Sequence, residues 1–158
     1  MTTLLAFSPD IAPLTLSGPR EARLRAFAAR NGFVYDRGAP GPPAAAGLFG
    51  VGHRGRTLRR FRGGHDGRRL EIGNFACRTR YSCPWSRVLT GYLILGPVPD
   101  AASAPPGWAR RPAPAAEPTA HVEAGGGSVL VHTLEPFAFD HAATWDRIAL
   151  LVGHASRL

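Results

Sequence analysis

Apolar positions along this chain switch between two periods, and the switches mark out its elements. Leu24, Phe27 and Ala28 recur at helical spacing among Arg20, Arg23, Arg25 and Arg30, predicting a helix over 19–31. Pro19 suits its first position, where a missing N–H has no partner anyway, and Gly32 supplies a left-handed close. A second stripe, Trp145, Ile148, Ala149 and Val152, predicts a helix over 141–152 with Asp140 as its cap and Gly153 as its stop. Between the two helices the period shortens. A short strand at Phe33-Val34-Tyr35 is followed by strands at about 56–62, 68–79 and 87–95. A hairpin then joins His121–Ala124 to 128–134 through the glycines at 125–127.

Two details of the strand pattern refine this picture. Leu70 and Ile72 share one parity while Phe75 and Cys77 take the other, so a bulge at Gly73-Asn74 would place all four on one face. The run VLTGYLIL at 88–95 is apolar on both parities, as a central strand covered on both sides is. The expectation is a single α+β domain over 1–158: a mainly antiparallel sheet of about five strands with an N-terminal and a C-terminal helix packed on it. Residues 1–17 read as an arm and 38–47 as a Pro/Gly loop. Seven prolines make 97–120 a semi-rigid, linker-like excursion.

Charge changes the picture most. The chain has 158 residues, no lysine, and a net charge of +8. Ten arginines against Asp66 and Glu71 between 54 and 87 account for all of it, because the other nine arginines meet nine carboxylates. A neutral body with one cationic stretch points to an acidic partner: a nucleic acid, an acidic protein or, peripherally, an anionic membrane surface. No run approaches the roughly 20 apolar residues of a membrane span. Two cysteines and an N-terminus broken by prolines favour a reducing cytoplasm. No cofactor motif stands out. The glycines of GLFGVGHRG at 47–55 lack the Lys and Ser/Thr ending of a nucleotide loop, and His132 reads as a structural residue.

The candidate anion-binding residues are Arg54, Arg56, Arg59, Arg60, Arg62, Arg68, Arg69, Arg78 and Arg80. Their planar forks suit phosphate, and Phe61, Phe75, Tyr81 and Trp85 are available to stack on bases. Contact with about six phosphates predicts a log–log salt slope near −5. A second reading is a small redox or metal-dependent enzyme. It would use Cys77 and Cys83 as a dithiol or metal pair, with His53 and His65 as further ligands or His65 as a base. A third is a structural subunit of an assembly, with the proline-rich excursion as its contact arm.

Three stretches carry a resemblance: LRAFAARNGFVYD at 24–36, LFGVGHRGRTLRRFRGGHDGRRLEIGNFACRT at 48–79 and GSVLVHTLEPFAFDHAATWDRI at 127–148. In this order the chain resembles a family of uncharacterised actinobacterial proteins, often membrane-anchored, with a cytoplasmic α+β domain. The resemblance implies the fold and transfers no functional residue.

Overall fold

Two neighbouring strands that are buried on both sides set the architecture. In the computed structural model, which describes residues 19–43, 49, 53–78, 88–97 and 107–158, α1 (Arg20–Arg30) leads into β1 (Val34–Asp36) and β2 (His53–His65). There follow β3 (Arg68–Arg78), β4 (Val88–Leu95), β5 (Ala109–Arg111), β6 (His121–Gly125), β7 (Ser128–His132) and α2 (Ala142–Ala155). The strands form one sheet in the order β1-β2-β3-β4-β7-β6-β5, antiparallel throughout. The α+β class and the two helices are as the sequence predicts, but the sheet has seven strands rather than about five. One addition, β5, lies inside the proline-rich stretch. Its proline-free triplet pairs with β6 and forms the sheet edge, where the flanking prolines interrupt no ladder.

Both helices cover one face, called inner here. Leu70, Ile72, Leu93, Leu95, Val129 and Val131 meet Leu24, Phe27, Trp145, Ile148 and Val152 there in a single apolar cluster. Each such side chain taken fully out of water contributes about 1.5–3 kcal/mol. Phe61 stands at the centre of this layer with no exposed surface, its ring 5.0 Å from Trp145 and 4.8 Å from Phe139. It is a core residue, so it cannot stack on a base as its place among the arginines suggested.

The outer face has its own apolar layer of Phe49, Phe75, Cys77, Tyr92, Ile94 and Leu130, with Trp108 against it. This explains the parity change in β3 without a bulge. The β3–β4 register runs unbroken from Leu70↔Leu95 to Cys77↔Val88, so Phe75 and Cys77 point away from Leu70 and Ile72 into the second layer. Asn74, the expected bulge position, is buried on the inner face. Its Nδ2 donates to the Phe137 carbonyl at 3.0 Å and its Oδ1 accepts from the Phe137 N–H at 2.7 Å.

Helix ends differ in detail. Gly32 closes α1 at φ 72°, as expected. Asp140 does not cap α2; its carboxylate lies 2.7 Å from Arg20 Nε, His141 occupies the cap position, and α2 runs through Gly153 to Ala155. The described half of the proline-rich stretch is fastened to the body. Arg147 clasps Glu117 through two hydrogen bonds and His154 Nε2 meets the Pro112 carbonyl at 2.9 Å. Residues 98–106 and the arm at 1–17 lie outside the described residues. Among the described residues, no helix is long and apolar enough to cross a membrane.

Candidate anion-binding site

The irregularities of the sheet are on β2, and each is built around an arginine. Two residues of β2 oppose one of β3 between His53↔Arg78 and Arg56↔Ala76, and again between Leu58↔Asn74 and Phe61↔Ile72. Arg54 and Arg59, one in each bulge, have φ of 52° and 51°. That conformation costs a residue with a Cβ about 1–2 kcal/mol. A bulge re-aims the side chain at its apex, and the two apices end in different surroundings.

At the bulge nearer the middle of β2, Arg59-Arg60, called the inner bulge for its place along the strand (that at Arg54-Gly55 being the outer), the arginines meet carboxylates. Arg60 donates from Nε and Nη2 to the two oxygens of Asp36 at 2.9 and 3.0 Å, and Arg62 Nη2 lies 2.9 Å from Asp36 Oδ2. Burial alone would raise the Asp36 carboxyl, but the Arg60 and Gly38 hydrogen bonds and the two guanidinium charges outweigh it and hold it below the usual carboxylate range. Asp36 in turn raises Arg60. Arg59 turns to α1, where its Nε lies 3.8 Å from Glu21; Tyr35 and Arg37 share the same carboxylate. Arg68 is occupied differently, donating from Nη2 to the carbonyls of Gly127 and Leu95 at 3.2 and 3.4 Å.

At the outer bulge no carboxylate of the described residues pairs with the arginines. Arg54, Arg56 and Arg78 surround a depression of about 210 Å3 whose remaining described lining is Ala76 and Cys77. None of the three has a carboxylate within ion-pair distance among the described residues. Two backbone features hold them there. Gly55, between two of the arginines, leaves room for the Phe75 ring, whose Cζ would sit 2.5 Å from a Cβ at that position. The segment 37–41, half of the expected loop, runs as an irregular cord beside β2. Arg37 O, Ala39 O and Gly55 O accept from Arg59, Thr57 and Gly41 respectively. Arg69 is exposed at the other end of β3, away from these three.

The nine candidate arginines therefore do not form one face. Four are tied internally, three are gathered, Arg69 stands apart, and Arg80 lies outside the described residues together with Tyr81, Cys83, Trp85 and the side chain of His53. Phe61 and Phe75 are both buried. Asp36 and Glu21, which decide the fate of the inner arginines, were missed by sequence reasoning. Their only signal is long-range, since β1 must first pair with β2 before Asp36 faces Arg60.

Cys77 is a free thiol, 8% exposed, and burial pushes its pKa up rather than toward a thiolate. His65 lies at the β2–β3 turn opposite Arg68, nine strand residues from Cys77, or about 30 Å at strand rise. The two do not meet as nucleophile and base. Among the described residues no cluster of three His, Cys, Asp or Glu side chains stands ready for a metal ion. Comparisons of the chain with protein-family models, with curated proteins and with solved structures gave no match.

Proposed function

We propose that this protein is a non-enzymatic binding module that docks the phosphate backbone of a nucleic acid at Arg54, Arg56 and Arg78. The observation that carries this reading is that three arginines line one depression with no described carboxylate in ion-pair distance of them. An arginine in this state keeps its full charge and its fork of donors for an external oxyanion, whereas Arg60 spends both on Asp36. The strained backbone at Arg54 supports the same reading, since strain at an exposed polar position persists where the aimed side chain serves a purpose beyond stability.

Of the stacking candidates, Phe61 and Phe75 are packed inside, so among the described residues recognition rests on phosphate. Binding is then indifferent to sequence. The net charge of +8 steers any polyanion toward the protein, and the three arginines determine where it lands.

Anisotropy with a labelled single-stranded oligonucleotide tests this, with an acidic peptide of equal charge as competitor. Changing Arg54, Arg56 and Arg78 to Ser should weaken oligonucleotide binding by about tenfold or more. Oligonucleotide binding that survives the triple change refutes the site. Peptide binding in the absence of oligonucleotide binding refutes the partner.

A further inference from the structure

A second positively charged hollow lies at the opposite end of the sheet, where the sequence suggested only a hairpin. Arg68 from β3 and Arg111 from β5 flank a depression of about 310 Å3. Its floor is the tip of the β6–β7 hairpin: Gly125, Gly127 and Ser128, with Gly107 beside them. The turn is tight because Gly126 and Gly127 both take positive φ, 59° and 79°, as a two-residue hairpin turn requires. Nothing lies within 4 Å of where a Cβ of Gly127 would stand, so the space above the turn is open. Val129, Ala124 and Leu158 supply an apolar wall.

The charges here are also without carboxylate partners. Arg111 is exposed and makes no ion pair among the described residues. Arg68 is anchored through Nη2 to the Leu95 and Gly127 carbonyls. Those bonds fix the plane of the guanidinium without neutralising it, and no bond from its Nε or Nη1 is drawn to a described residue. A tethered guanidinium, a second exposed one and an apolar wall form a combination that suits a small molecule with one anionic end. The volume is at the low end of the range for small-molecule sites.

We propose that this hollow binds the phosphate group of a small organic phosphate, with Arg68 and Arg111 on the oxyanion and the organic part against Val129 and Leu158. The site is separate from the three-arginine site at the far end of the strands and does not depend on it. The test is an amide-detected NMR titration with inorganic phosphate and with phenyl phosphate, each against sodium chloride at matched ionic strength. Shifts should concentrate at Gly125–Ser128. Phenyl phosphate should bind about threefold or more tighter than inorganic phosphate because its ring gains the apolar wall. Arg111→Ser should abolish the shifts while Arg54→Ser leaves them unchanged. Arg111 is the variant of choice because Arg68 also ties two strands together. Absence of shifts at the hairpin, equal shifts with chloride, or shifts that persist in Arg111→Ser overturn the site. Equal affinity for the two phosphates overturns the role of the wall.

Discussion

Strand β2 carries the same irregularity twice, and the two copies do opposite work. Both bulges place an arginine at positive φ and both break the register with β3. At the inner one, two carboxylates reached through β1 and α1 hold Arg37, Arg59, Arg60 and Arg62, and the charge becomes part of the scaffold. At the outer one no described carboxylate is within ion-pair distance of Arg54, Arg56 or Arg78, which line a shared depression. What separates structural arginines from available ones is where the folded chain delivers its acids, not how densely the arginines are written.

The largest effect expected breaks the link between the two bulges. Gly38 sits at φ 106° with its Cβ position 1.9 Å from the Thr57 carbonyl oxygen, so Gly38→Ala cannot be accommodated without moving the cord, whose Gly38 N–H donates to Asp36. Denaturant unfolding should show a loss of about 4 kcal/mol. Next comes a pH effect away from both bulges, which sets the window in which they can be compared. His132, on the outer face with Nε2 3.1 Å from Thr90, has its pKa lowered to about 4 by burial and, secondarily, by the charge of His121. The unfolded chain therefore takes up this proton first as the medium is acidified. Stability from this group is complete above pH 6.5 and falls as pH approaches 4, by about 3 kcal/mol in all. Unfolding measured from pH 7.5 to 4 should show the decline, and His132→Gln should flatten it.

The comparison itself is sharpened by paired substitutions. Asp36→Ala strips the partner from Arg60 and Arg62 and should cost about 2 kcal/mol, less than a fully buried pair because these side chains keep some solvent contact. Arg54, Arg56 and Arg78 changed together to Ser should alter stability by no more than about 0.5 kcal/mol, because no ion pair among the described residues depends on them. A matched pair of glycine substitutions separates the bulges most cleanly. Arg54→Gly relieves the left-handed backbone and should raise stability by up to about 1 kcal/mol while weakening anion binding. In Arg59→Gly the same relief is offset by loss of the Glu21 pair, leaving the melting temperature nearly unchanged.

Much of the frame could be read from the residues. The stripes Leu24-Phe27-Ala28 and Trp145-Ile148-Val152 are buried as their spacing requires, and the double-sided run at 88–95 is a central strand. The misread positions within β3 share one cause: strand parity cannot tell a bulge from a strand covered on both faces. Phe75 and Cys77 change parity because a second apolar layer awaits them, and no bulge is needed. Conversely, RGRTLRRFR gives no sign of its two bulges, because their cause is the pairing with β1, β3 and the cord at 37–41. The candidate site suffered in the same way. Charge density is local and legible, but Glu21 and Asp36 reach the arginines only through tertiary pairing.

The most direct test of this division is the salt dependence of oligonucleotide binding. With the three arginines of this one site on a single strand, log affinity against log salt should run with a slope of about −2. The slope should collapse toward zero when Arg54, Arg56 and Arg78 are changed to Ser. A slope near −5 in the wild type, or one that the triple change leaves intact, would mean that the whole arginine block engages the polyanion and that the inner carboxylates do not silence their partners.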